Sequence, residues 1–171
     1  SGGTSPYSYG WSNGASTSSA TTALIAGTYT ITVKDKNACI VKGTVVITQP
    51  AAIVLSMTST SLTCYGVNTG AALVSISGGT TPYYYSWSNA STTLGTSSGI
   101  NNLAPGKYTV AVSDSNACAK TTTVSIAGPA AIVLGASSTN VLCNGDSNGI
   151  ASVTVTSGGV APFVYWWSNG G

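Results

Sequence analysis

The stretch TYTITVKDKNAC, residues 28–39, decides the fold, and it occurs twice: KYTVAVSDSNAC begins 79 positions later, at residue 107. In the first copy Tyr29, Ile31 and Val33 alternate with Thr28, Thr30 and Thr32, and in the second Tyr108, Val110 and Val112 keep the same beat. Successive side chains of a strand leave opposite faces, so strict alternation marks a half-buried antiparallel strand with a wet, threonine-lined outer face. Val45 and Ile47 read the same way, as do their counterparts Val124 and Ile126. Ala72, Val74 and Ile76, matched by Ala151, Val153 and Val155, add a third pair of strands. Clusters of Gly, Pro, Asn and Asp separate these runs, and no helical period survives. The pattern predicts an all-β chain built from antiparallel sandwiches of seven strands each.

The interval of 79 residues recurs elsewhere. PAAIVL stands at 50–55 and again at 129–134, and Cys64 and Cys143 are equally spaced. A fixed period means tandem copies of one unit, and 79 residues are enough for a small domain with its own core. A third motif appears three times: GGTSPYSYGWSNG at 2–14, GGTTPYYYSWSNA at 78–90 and GGVAPFVYWWSNG at 158–170. The expected organisation is therefore the C-terminal part of one sandwich over 1–50, a complete sandwich over 51–129 and the N-terminal part of a third over 130–171. Within the motif, Gly-Gly and Pro make a turn and the aromatics alternate. Tyr9 and Trp11, Tyr85 and Trp87, and Tyr165 and Trp167 are expected to face a core otherwise filled by Val, Ile and Ala, with Tyr29 and Tyr108 beside them. Each large ring removes about 150–250 Å² from water when buried. Tyr84 and Trp166 fall on the opposite parity and are expected outside, as candidate interface residues. Leu103-Ala-Pro-Gly-Lys-Tyr108 has the form of a tyrosine corner.

Composition narrows function. Five Lys and three Asp are the only charged residues, with no Arg, Glu or His, while Ser and Thr number 51. A net charge of +2 and no Arg leave nothing to clamp phosphates or read bases, so nucleic acid is not an expected partner. No apolar run approaches the roughly 20 residues of a spanning helix, and neither membrane insertion nor a signal peptide is expected within this segment. Catalysis would fall to dispersed Asp, Lys and Tyr with no base beside any serine, so no enzyme and no cofactor are expected. Asp35 and Asp114, each preceding an Asn-Ala-Cys, read as turn formers. Asp146, in CNGDSNG, is a weak calcium candidate, because calcium sites gather several oxygens and its counterpart CYGVNTG carries no acid. Asn89-Ala-Ser91 fits the N-glycosylation pattern but is not kept in the other copies. Cys39, Cys64, Cys118 and Cys143 come one pair per period, without His or CxxC spacing. That points to disulfides in an oxidising compartment rather than to metal. Cys64–Cys118 would close one repeat, whereas Cys39–Cys64 and Cys118–Cys143 would staple neighbours.

Taken together, Cys64 to Asn68, the SGGTTPYYYSWSNA of 77–90, the LAPGKYTVAVSDSNAC of 103–118 and the strand before Pro129 resemble the SprB-type repeat of Bacteroidota surface adhesins. The first copy departs from the pattern in lacking Pro before Gly27, and Cys64 is followed by Tyr-Gly-Val rather than an acidic turn. The resemblance implies an Ig-like sandwich in long secreted proteins, exported by the type IX system and tied to adhesion or gliding. The expected role is mechanical: a structural repeat segment of an extracellular, cell-surface adhesin, stalk or filament, with neighbouring copies of itself as partners. Two rivals carry different expectations. A carbohydrate-binding module would bind surface glycans through aromatics repeated in every copy. A self-complementing subunit would join open halves head to tail by strand exchange.

Overall fold

The computed structural model describes residues 2–14, 17–90 and 92–168. Ser91 of the glycosylation pattern and residues 169–171 of the last motif lie outside the described residues. The chain divides into two compact units, Ser1–Ala51 and Ala52–Gly171. Its described elements are twelve strands: β1 Ser8–Trp11, β2 Gly27–Lys34, β3 Ile40–Ile47, β4 Val54–Thr60, β5 Gly70–Ser77, β6 Tyr84–Ser88, β7 Thr93–Gly95, β8 Gly99–Leu103, β9 Gly106–Ser113, β10 Ala119–Ile126, β11 Val133–Thr139 and β12 Ile150–Ser157. Every paired strand is antiparallel.

Strands β4 to β10 make one whole Ig-like sandwich. One sheet has the order β4-β5-β8 and the other β10-β9-β6-β7. The alternation read from the sequence is what closes them together. On β9, Tyr108, Val110 and Val112 are buried, and on β5 Ala72 and Val74 are buried while Leu73 between them is 48% exposed. Trp87, wholly buried, stands on β6 beside Val110 and fills the middle of the core with Ile100, Leu103 and Ile126. Leu55, Met57 and Ile76 pack against that cluster from the opposite sheet. Its indole Nε1 donates to the Ser97 carbonyl at 2.8 Å, so the one polar atom the ring takes inside is satisfied.

The first unit repeats part of this plan. Its sheet has the order β1-β2-β3, and the pairing of Tyr9 with Val33 and Trp11 with Ile31 copies that of Tyr85 with Val112 and Trp87 with Val110. Residues 20–24, however, form no strand, although β8 lies 79 positions later. The reason is pairing: β8 bonds only to β5, and the described residues of the first unit contain no counterpart of β5. At the other end of the chain, β11 and β12 form a two-stranded sheet that copies β4 and β5. Leu134 faces Val155 and Ala136 faces Val153, as Leu55 faces Ile76 and Met57 faces Val74. The single residue by which this copy is longer is absorbed as a register shift between Val133 and Leu134.

Residues 163–167 correspond to the β6 region yet form no strand. Strand β6 is held by β9 and β7, and among the described residues neither has a counterpart after residue 157. This corrects the expectation for the third aromatic motif. Tyr165 and Trp167 were placed in a core by their parity, but they are 47% and 43% exposed. Alternation selects a face; only an opposing sheet buries it.

Candidate functional site

The whole sandwich has two chemically distinct ends, and the possible sites lie on them and on the uncovered sheets. At the first end, Asp114 in the β9–β10 turn is only 3% exposed. Its Oδ2 accepts from the Thr80 N–H at 3.0 Å, and its Oδ1 from the Asn116 and Cys118 N–H groups at 2.9 Å each. Burial works against the charge, but the N–H groups of Cys118, Thr80 and Asn116 outweigh it and hold the carboxyl below the usual range. The carboxylate thereby ties the final hairpin to the Gly-Gly turn. Gly79 there has φ +70°, and a Cβ on it would lie 2.8 Å from Ile53 Cγ1, so this aspartate end also contains the start of β4. The first unit repeats the clamp: Asp35 accepts from the N–H groups of Thr4, Asn37 and Cys39 at 3.0, 2.9 and 2.8 Å. The Thr4 and Cys39 bonds lead in holding its carboxyl below the usual range.

At the second end the chain turns the tyrosine corner. Tyr108 Oη donates to the Ala104 carbonyl at 2.9 Å, and Tyr29 Oη to Ile25 at 2.8 Å. Leu62, which follows β4, donates its N–H to Ala127 just beyond β10 at 2.9 Å. A Cβ on Gly70 would meet Ile126 and Leu103, so the β4–β5 loop, the corner and the exit of β10 share this corner end.

The cysteines sort by end. All four are free and exposed. Cys118 precedes β10 and sits at the aspartate end; Cys64 lies two residues past Leu62, at the corner end. Eight residues of β10 separate these levels, about 26 Å at roughly 3.3 Å per residue. A disulfide needs Cα atoms within about 7 Å. A Cys64–Cys118 bridge inside one sandwich is therefore excluded.

Each partial copy has an apolar face that, among the described residues of its own sheet, stays partly exposed. In the first unit Tyr29 is buried, but Tyr9, Trp11, Ile31 and Val33 are only half-buried, and Val45 is 40% exposed. The counterparts of Trp11 and Ile31, Trp87 and Val110, are wholly buried. On the β11–β12 hairpin Leu134 is 58% exposed, where Leu55 packs against the core. A groove of about 830 Å³ runs along this hairpin face, between Leu134, Val153 and Val155 on one side and Phe163, Tyr165 and Trp167 on the other.

Other candidates fare less well. Asp146 accepts from Asn148 Nδ2 at 3.4 Å and its N–H donates to Cys143, and among the described residues no group of three potential ligands surrounds it. Tyr84 and Trp166 are 59% and 89% exposed. Neither forms a repeated platform, because Tyr84 aligns with Ser8 and Val164, and Trp166 with Gly10 and Ser86. The ends of the sandwich were the part that sequence reasoning missed. The signal was the recurrence of Asp two residues before Asn and four before Cys, in both copies.

Among curated proteins none matches the chain. Among solved structures, the three N-terminal domains of the bacteriophage RB49 Highly Immunogenic Outer Capsid protein (Hoc) are similar, with a TM-score of 0.46 and 19% identity over 90% of this chain. The chain spans 60% of that structure's length. The family model of the SprB repeat matches residues 56–92 and 135–171. Each match runs from the first hairpin of a sandwich through the aromatic motif, and the two begin one 79-residue period apart. Two segments of the chain, one period apart, are thus similar to the SprB repeat.

Proposed function

We propose that this chain is a structural segment of an extracellular cell-surface adhesin, stalk or filament, mechanical and adhesive rather than catalytic. The observation that carries the reading is the in-register recurrence of the SprB repeat on a chain of β-sandwich units. Cell-surface structural repeats are what that family stands for. Everything local serves rigidity: a core plugged by Trp87, a turn clamped by Asp114, a corner locked by Tyr108. Short joints with Pro50 and Pro129 restrict the backbone where one sandwich gives way to the next. The chain is rich in Ser and Thr and holds few charges, which suits a spacer that must not attract nucleic acid or acidic polymers.

The test is location. An antibody raised against the purified chain should label intact, unpermeabilised cells that produce it, and brief external protease should release the label. Labelling only after permeabilisation would sink the reading.

A further inference from the structure

We infer that Asn144 is a modification site: the backbone nitrogen of Gly145 attacks its side-chain amide and converts it, through a succinimide, to aspartate and isoaspartate. It reacts ahead of the other described asparagines that precede a glycine. The reaction needs only water and does not depend on where the protein is displayed.

The turn creates the chemistry. The Asp146 N–H donates to the Cys143 carbonyl at 3.2 Å, which closes a β-turn with Asn144 and Gly145 at its centre. Gly145 lies at φ +90°, and its counterpart in the whole sandwich, Gly66, lies at φ +77°. A turn whose second central residue is left-handed asks for glycine at that place. Glycine, however, brings no Cβ to shield its own nitrogen, and a Cβ added to Gly145 would find nothing within 4 Å. Among the described residues no hydrogen bond holds the Gly145 N–H. Asn144 itself is exposed. Its counterpart Tyr65 is 67% exposed although the sandwich around it is whole, so this position stands in water when all the strands of a repeat are present. Tyr65 has no amide to lose, which confines the reaction to the later copy.

The two other described Asn-Gly steps are built differently. Asn148 has its side chain tied at both atoms: Oδ1 accepts from the Leu142 N–H at 3.2 Å, and Nδ2 donates to Asp146 Oδ2 at 3.4 Å. The space beside Gly149 is closed as well, since a Cβ there would lie 3.2 Å from Val141 Cγ1. At Asn13 the would-be nucleophile is engaged, because the Gly14 N–H donates to the Trp11 carbonyl at 2.9 Å. The fourth step, Asn169–Gly170, lies outside the described residues.

The step balances without an oxidant or a cofactor. The Gly145 nitrogen gives its proton to water and bonds to Asn144 Cγ, and the Cγ–Nδ2 bond breaks to release ammonia. Holding both reacting atoms in one short stretch of chain makes the attack intramolecular. Water then opens the five-membered ring. Attack at Cγ leaves aspartate in an ordinary backbone; attack at the main-chain carbonyl of residue 144 leaves isoaspartate, with the chain running through the side chain. Either product replaces a neutral amide by a carboxylate beside Asp146 and lowers the net charge from +2 to +1.

The experiment incubates the whole, reduced chain in mildly alkaline buffer made with oxygen-18 water, folded in one arm and unfolded in urea in the other. Peptide mapping by mass spectrometry reads amide loss and solvent oxygen at each asparagine, and isoaspartyl methyltransferase labelling reads isoaspartate. In the folded arm Asn144 should convert about tenfold faster than Asn148 and Asn13, the factor that one or two ordinary hydrogen bonds make. In urea the three rates should converge. Asn144→Gln, whose longer side chain cannot close a five-membered ring, should remove the folded-state isoaspartate signal while leaving the denaturation midpoint in place. Equal rates in the folded arm, faster loss at Asn148 or Asn13, a preference that persists in urea, or an isoaspartate signal that survives Asn144→Gln would each overturn the inference.

Discussion

The N–H of Leu62 donates to the carbonyl of Ala127 across 2.9 Å. This bond levels the β4–β5 loop with the exit of β10 and sends Cys64 and Cys118 to opposite ends of the sandwich. Through it, a local pairing decides the covalent chemistry open to the chain. The same logic, in which tertiary neighbours decide what a repeated sequence does, governs the measurable differences between copies.

Trp87 and Trp167 occupy equivalent places in equivalent motifs, and one is wholly buried while the other is 43% exposed. Trp87→Ala should cost about 3–5 kcal/mol, through lost transfer energy and the cavity left behind. Trp167→Ala in the single chain should stay within about 0.5 kcal/mol of the parent. Urea denaturation of dilute, reduced protein checks both. Equal losses would mean that the last motif is already packed in a core.

That contrast shows how far the sequence could be read. Strand identity, parity and the period rest on backbone geometry and burial, which leave a period-two trace in residues such as Tyr108, Val110 and Val112. Whether a parity-correct residue is buried depends on a sheet distant in sequence. Residues 20–24 and 99–103 are equivalent by spacing, yet only the second set is a strand, because only it has β5 to bond. The Asp114 clamp was legible as a turn but not as a link to Thr80, 34 residues away, since composition carries no sign of a long-range backbone donor.

Tyr108 Oη and the Ala104 carbonyl form the corner bond at 2.9 Å. Tyr108→Phe keeps the ring and leaves the carbonyl without its donor, so stability should fall by about 0.5–1.5 kcal/mol. Tyr84→Phe, at an exposed ring, should change nothing measurable. Paired denaturation curves distinguish the two, and a silent Tyr108→Phe would show that the corner is held by packing alone.

Asp114 and Asp35 both have carboxyl groups held below the usual range by backbone N–H donors. A lowered folded value means that the unfolded chain binds protons first as pH falls. Their contribution is therefore fully present above the ordinary carboxylate range, about pH 4, and is lost as pH drops through the lowered folded values. Denaturation midpoints should be flat from pH 7 to pH 5 with respect to these groups and decline below about pH 4. Asp114→Asn should be less stable than the parent at pH 7 and lose less on acidification. A mutant with the parent's full acid slope would remove Asp114 from the account.

Gly79 and Gly10 test the turn against the strand. Gly79 sits at φ +70°, where a Cβ would also lie 2.8 Å from Ile53 Cγ1 and 3.2 Å from Asp114 Oδ2. The left-handed conformation alone costs an L-residue roughly 1–2 kcal/mol, and Ile53 cannot retreat without opening the start of β4. Gly79→Ala should therefore destabilise the sandwich by at least that much and disturb the aspartate clamp, seen as faster amide exchange at Thr80 and Cys118. Gly10 lies in β1 opposite Thr32, with nothing within 4 Å of an added Cβ. There Gly10→Ala removes freedom only from the unfolded chain and should stabilise by about 0.4–1 kcal/mol, slowing exchange at the β1–β2 amides. If the two substitutions behaved alike, the Gly-Gly turn would be a tolerant loop rather than the close approach of the Gly-Gly turn, β4 and the final hairpin that the aspartate end requires.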